Sequence, residues 1–251
     1  MKPTISIVTV CLNARQALVK TKASVFSQCF KDFEWIVIDG ASVDGTVEDL
    51  KVIEDARLSY SSEPDAGIYD AMNKGLTMAR GEWVWFLNAG DCFHDETALE
   101  QVVAVDASVD ICFGEAMMVT EQGRVLGLRS EVLPHQCPAE LSKADFKRGM
   151  LVSHQAFVVR RAIALNYDLK YSLSSDLDWM LRILEKAPSS HRLGVLATVV
   201  REGATSRNWK RSQLERFQIL AKHFGLLSTV WQHFRIVGRR IVHKARIRFW
   251  R

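Results

Sequence analysis

No CxxC pair occurs in the 251 residues, and the five cysteines (Cys11, Cys29, Cys92, Cys112, Cys137) are odd in number and scattered. That argues against a disulfide framework and against a thiolate zinc site. The cysteines read as reduced thiols, mostly in core positions. No run approaches the roughly 18 apolar residues of a spanning helix. The opening MKPTISIVTV reaches polar Asn13 too soon for the apolar core of a signal peptide, so the chain is expected to stay in the cytosol. Low-complexity tracts and solenoid-period repeats are also missing, which confines any expected disorder to the ends. No GxGxxG follows the first apolar stretch, where TVCLNARQA stands instead, and this counts against a dinucleotide enzyme. Finally, acids are absent after Glu215, while nine Lys or Arg follow it. The chain up to that point carries 24 basic against 29 acidic residues, so a net charge of +4 hides an acidic body and a basic tail.

What is present reads as alternating strands and helices. TISIVTV (4–10) and FEWIVIDG (33–40) are near-continuous β-branched or apolar runs, the pattern of strands buried on both faces. Helical spacing at Ala17, Leu18, Thr21, Val25 and Phe26 separates them, so the first unit is βαβ. Ser42 or Asp44 is placed to cap the next helix, LSYSSEP (58–64) is a short strand, and 68–79 is a helix despite Gly75. A strand at 82–87 then runs into Asn88-Ala89-Gly90-Asp91. The local choice there is between a plain turn and a carboxylate delivered to the ligand-binding edge of an open sheet. Strands at 109–119 and 124–130 form a hairpin, HQAFVVRR (154–161) is a further strand, and 174–187 is an amphipathic helix opened by Ser174 or Ser175. Asp176 and Asp178 suit the dipole of that helix whatever else they do.

Four segments taken together, SIVTVCLN, EWIVIDGASVDGT, EPDAGIYDAMNKGLTMARGEWVWFLNAGD and HQAFVVRR with SSDLDWMLRI, resemble a family 2 glycosyltransferase of GT-A fold. They are similar to the branch that builds bacterial exopolysaccharides such as colanic acid. The resemblance covers residues 4 to 206. It implies an α/β fold with a Rossmann-like, mostly parallel nucleotide-sugar-binding sheet over 1–110, an acceptor half over 111–206 and a basic helical tail over 207–251. The activity implied is inverting hexosyl transfer from a nucleotide-diphosphate sugar, UDP-linked before GDP-linked, to a saccharide or lipid-linked acceptor.

The resemblance also implies roles. Asp39 would accept from the nucleotide base, Asn13 would line the same pocket, and Asp65, Asn73 and Lys74 would wall the ribose and phosphates. Asp91 would hold Mg²⁺ or Mn²⁺ against the diphosphate, although Asn88-Ala89-Gly90-Asp91 keeps one carboxylate where relatives carry a DxD cluster. Asp176 would be the catalytic base, with Ser175 where a glutamate often stands. His154 and Gln155 would meet the acceptor. Glu202-Gly203-Ala204-Thr205-Ser206 departs from the family's glycine-pair loop.

In the tail, Leu227, Val230, Trp231, Phe234, Ile241, Ala245 and Phe249 recur at helical spacing among arginines and lysines. A basic amphipathic helix reads as binding an anionic membrane surface, which would make the protein peripheral on the inner face of the cytoplasmic membrane. The alternative is a helix packed on the acidic body. The rival functions are another nucleotide enzyme, such as a nucleotidyltransferase, and a nucleic-acid binder using the tail. The tail lacks a reader module and the acidic body would repel phosphates, so no nucleic-acid partner is expected.

Overall fold

The computed structural model describes residues 2–186, 189–201 and 208–232. The Glu202–Ser206 loop and the tail positions from Phe234 onward lie outside them. The first half contains β1 (Ile5–Cys11), α1 (Arg15–Phe26), β2 (Phe33–Asp39), α2 (Thr46–Lys51), β3 (Leu58–Ser62), α3 (Ile68–Met78) and β4 (Trp83–Phe86). Every residue of β1, β2 and β4 is buried, as the uninterrupted apolar runs require when helices cover both faces. Gly75 is explained by packing: a Cβ there would lie 2.4 Å from Val8 Cγ1, so glycine lets α3 lie directly on β1.

The second half adds β5 (Cys92–Phe93), α4 (Ala98–Val103), β6 (Ile111–Val119), β7 (Val125–Leu128), α5 (Arg129–Val132), β8 (Phe157–Arg160), α6 (Ser175–Leu184), β9 (Ser190–Val200) and a helix Trp209–Phe224, here α7. One sheet joins both halves in the order β3-β2-β1-β4-β8-β6-β9-β5, with β7 paired to β6. The parallel pairing expected of most of the sheet holds through β3-β2-β1-β4 and returns at β6-β9. Between and beyond these, β4-β8, β6-β8, β6-β7 and β5-β9 are antiparallel, so the sheet is mixed.

Three local expectations change. His154–Ala156 is a 3₁₀ turn, and the strand starts only at Phe157. Ser174 occupies the N-cap position of α6 without capping it, because its hydroxyl pairs with Ser212 on α7, while Ser175 Oγ donates to the Asp168 carbonyl. α7, which the sequence assigns to the tail, is bound to the body. Buried Asp178 on α6 accepts from Arg182 Nε (2.6 Å), Lys222 Nζ (3.0 Å) and His223 Nε2 (2.9 Å), and Glu215 accepts from the Leu173 amide (2.8 Å).

Candidate active site

The strand order contains a topological switch. The chain moves outward from β1 through β2 to β3, then returns across the sheet through α3 to β4 on the other flank of β1. The connections at the C-terminal ends of β1 and β4 therefore part in opposite directions and leave a crevice, the position where open α/β sheets take ligands. A cavity of about 760 Å³ occupies it, lined by Asn13 to Ala17 on one side and Ala89 and Gly90 on the other. Asn13 sits in the left-handed region (φ 47°). It is latched to the turn after β2, its amide donating to Ser42 Oγ (2.6 Å) and its side-chain oxygen accepting from the Val43 amide (3.0 Å).

Asp39 ends β2 next door, and none of its surface is exposed. Its carboxylate accepts from the Ser42 amide (2.9 Å), the Ser42 hydroxyl, Ser62 Oγ (2.7 Å) and Cys11 Sγ (3.6 Å). Burial alone would push this carboxyl up, but those serine and thiol bonds together hold it below the ordinary carboxylate range. A nucleotide base reaching Asp39 would have to displace a serine hydroxyl. Asp65 is half-buried beside the same turn. Its Oδ2 lies 2.6 Å from where a Cβ on Gly40 would stand, so glycine at 40 lets the Asp65 carboxylate lie against the turn. The other two expected pocket residues face local partners. Lys74 bonds the Pro64 carbonyl (3.0 Å) and Glu63 (2.9 Å), and Asn73 clasps the Tyr167 backbone, donating to its carbonyl (3.1 Å) and accepting from its amide (2.7 Å).

Across the crevice, the turn after β4 carries Asp91. This carboxyl is buried, accepts from the Val200 amide (3.0 Å) and Gln155 Nε2 (2.7 Å), and is pushed up to about 7 by burial, against those two bonds. In the same turn, Asn88 Oδ1 is buried with no hydrogen-bond partner among the described residues. A lone carboxylate beside an orphaned amide oxygen is a hard-oxygen donor set, the type Mg²⁺ and Mn²⁺ prefer. It is also a sparse one, since among the described residues no three acids, histidines or cysteines form a cluster able to hold a metal. The two oxygens fit a cation that other oxygens, such as those of a diphosphate, also ligate. Gln155, half-buried, thus meets the Asp91 turn.

Asp176 opens α6, half-buried, and its Oδ1 accepts from the Tyr69 hydroxyl on α3 (3.1 Å) and from the Leu177 amide (2.9 Å). Burial, and then the charge of Asp176, raise the Tyr69 phenol well above its usual range, so it stays a donor. Tyr69 stacks on Tyr167, which stacks on Trp179. His154 lies within this aromatic group against Phe86 and Trp179, only 4% exposed, with Nε2 2.7 Å from the Tyr167 hydroxyl. Burial pushes its imidazole down to about 4 even though the Asp176 charge works the other way. His154 is thus a core group that braces Tyr167, the 3₁₀ turn aiming its ring inward.

The family model "Glycosyl transferase family 2" matches residues 6–166, from β1 to just beyond β8. The chain belongs to this family. A glycosyltransferase of Mycobacterium tuberculosis whose own role is uncharacterized is 32% identical over 188 residues, 72% of this chain and 68% of that protein. Among solved structures, S. aureus TarS 1-349 in complex with UDP-GlcNAc superposes with a TM-score of 0.70 at 16% identity, covering 95% of this chain and 73% of that one. The mannosyltransferase PcManGT of Pyrobaculum calidifontis, in complex with GDP-Man and Mn²⁺, gives 0.69 at 16% identity over 98% and 74%. The fold of this family 2 glycosyltransferase is thus GT-A.

Four contributors to the glycosyltransferase site escape sequence reasoning. Ser42 and Ser62 look like ordinary turn and strand residues, yet both clamp Asp39. Tyr69 lies in the GIYDAMNKG stretch, but its partner Asp176 is 107 positions away. For Asn88 a signal was available, since it heads the Asn88-Ala89-Gly90-Asp91 turn that ends the strand.

Proposed function

We propose that this glycosyltransferase moves a hexosyl group from a nucleotide-diphosphate sugar to a saccharide hydroxyl with inversion, on a lipid-linked acceptor of envelope or exopolysaccharide synthesis. UDP is the first donor nucleotide to test and GDP the second. The observation that carries the reading is the Asp176 carboxylate, half-buried at the start of α6 and fixed by the Tyr69 hydroxyl, in a fold whose switch-point crevice opens between Asn13 and the Ala89-Gly90 turn. In this reading Asn13, Asp39 and Asp65 hold the nucleoside, with Asn73 and Lys74 bracing the adjoining wall. Asp176 takes the proton of the acceptor hydroxyl as that oxygen attacks the anomeric carbon and the bond to the diphosphate breaks on the opposite face. Tyr69 orients the carboxylate by donating to one oxygen and leaves the other to receive the proton. Asp91 and Asn88 are the residues that would hold a divalent cation, which when bound offsets negative charge on the leaving diphosphate.

The basic tail supports a site beside an anionic leaflet, each Lys or Arg near such a surface contributing about 1 kcal/mol. Leu226, Leu227, Val230 and Trp231 are exposed in the helical stretch 226–232 and add apolar surface on the same segment. Among the described residues no helix is long and apolar enough to cross a membrane, so the proposed attachment is peripheral.

The test compares donor binding and transfer rate in Asp176→Asn. Donor affinity should stay within about twofold while transfer falls by about 10²–10⁴, the usual range for losing a general base. Near-normal transfer would remove Asp176 as the base, and lost donor binding would move it into the nucleotide pocket.

A further inference from the structure

The side chain of Asn73 is spent on an irregular run between β8 and α6, where the backbone carbonyls of residues 165–168 are taken by side chains in turn. Trp179 Nε1 donates to that of Leu165 (2.5 Å), Arg182 Nη2 to that of Asn166 (2.7 Å) and Ser175 Oγ to that of Asp168 (2.8 Å), all from α6. The carbonyl between them, that of Tyr167, goes instead to α3. Asn73 Nδ2 donates to it (3.1 Å), and Asn73 Oδ1 accepts from the Tyr167 amide (2.7 Å). The run is thereby tied to both helices at once.

The Tyr167 side chain repeats the pattern. Its ring, 3% exposed, lies between Tyr69 of α3 (centroids 5.4 Å apart, planes at 26°) and Trp179 of α6 (4.9 Å, 15°), while its hydroxyl meets His154 Nε2 (2.7 Å). Tyr69 and Asn73 stand four residues apart on one face of α3, so one grips the ring and the other the backbone of the same residue. On α6, Trp179 follows Asp176 by three residues. The 3.1 Å bond from the Tyr69 hydroxyl to Asp176 Oδ1 thus joins two helices that Tyr167 already spaces.

We infer that Tyr167, clasped by Asn73, is a positioning residue for Asp176: it acts through Tyr69, steadying the hydroxyl that orients the carboxylate. A general base works only within hydrogen-bond reach of the proton it takes, and a misplacement of about 1 Å can cost about 10²-fold in rate. Core packing alone would account for the stacked rings. It would not call for an amide that gives both its donor and its acceptor to one backbone unit 94 positions away. The inference rests on the proposed role of Asp176 as base.

The test combines urea unfolding with turnover, both on the full-length protein. In unfolding, Tyr69→Phe and Asp176→Ala should be non-additive, since each removes the same bond, and the pair should become additive once Asn73→Ala is present. A coupling that survives Asn73→Ala overturns the inference. Turnover is read as nucleotide release from UDP-glucose, UDP-N-acetylglucosamine and GDP-mannose with Mn²⁺, water standing in for the acceptor. Asn73→Ala should slow it by about 10- to 100-fold at saturating donor with nucleotide affinity within about twofold, and should change the residual rate of Asp176→Asn by less than about twofold. Tyr167→Leu should lose as much, and Tyr167→Phe, which keeps the stacks and the clasp, should recover most of it. An equal loss on Asn73→Ala in both backgrounds overturns the positioning role alone, and weakened nucleotide binding with unchanged turnover returns Asn73 to the donor wall. Near-normal turnover in Asp176→Asn instead sinks the base reading. If Asn73→Ala does not fold, the isosteric Asn73→Asp, which forfeits the donation to the Tyr167 carbonyl, replaces it in every arm.

Discussion

Asp39 shows how one side chain serves both fold and site. As a strand-end acid it looks dispensable for stability, yet it is buried and collects donors from Ser42, Ser62 and Cys11. Asp39→Ala should therefore weaken nucleotide binding and also destabilise the protein by about 1–3 kcal/mol, since buried hydroxyl and amide donors lose their acceptor. Calorimetric nucleotide titration and denaturant unfolding of the same variant check both halves. His154 makes a pH prediction. Its folded-state pKa of about 4 lies below the unfolded value of 6.5, so the unfolded chain binds the proton first. Stability should be level above pH 6.5 and fall as pH drops from 6.5 toward 4, by on the order of 3 kcal/mol from this group. The charge of Asp176 offsets only part of this, as Phe86 and Trp179 are apolar and the Tyr167 hydroxyl already meets Nε2. Unfolding midpoints across that range for wild type and His154→Gln check it, the variant showing the shallower fall.

Among the elements, α6 is the most heavily committed, carrying the proposed base at its start and the ion cluster that binds α7 two residues on. Burial alone would raise the Asp178 carboxyl, but the bonds from His223, Lys222 and Arg182 hold it far below the usual range. Its contribution is present above the unfolded carboxyl pKa and is lost as pH falls through that value and below. Asp178→Asn should destabilise by about 3–5 kcal/mol, because cations on two helices lose a buried partner. Chemical unfolding measures the loss, and exposure of α7 to limited proteolysis should rise with it. On α3, Gly75→Ala would force a methyl to within 2.4 Å of Val8 Cγ1. Shifting α3 to accommodate it should cost about 1–3 kcal/mol and slow transfer, since Tyr69 rides on the same helix.

For the whole molecule, the division that matters is electrostatic. The chain through Glu215 is acidic and the remainder carries basic charge alone, part of which, Lys222 with His223, is already engaged by Asp178. Truncation after residue 225 keeps α7 and its cluster. The shortened protein should fold and bind nucleotide, yet no longer sediment with anionic vesicles. Full-length binding should weaken as salt rises from about 0.05 to 0.5 M, because exposed charges are screened over a Debye length. A truncated protein that still sediments would place the membrane contact in the body.

What the residues alone determined was the doubly wound first half and the acids along its edge, because buried parallel strands need long β-branched runs and turns mark where those runs stop. Family membership was legible for the same reason, since its motifs are contiguous. β9 was not legible: SHRLGVLATVV mixes charge and glycine, and its interior place comes from pairing with both β6 and β5. Nor could spacing reveal that His154 turns inward, that Gln155 reaches Asp91, or that Tyr69 holds Asp176. The last two contacts join residues 64 and 107 positions apart, and only the closure of the mixed sheet and the packing of α3 against α6 bring them within bonding distance.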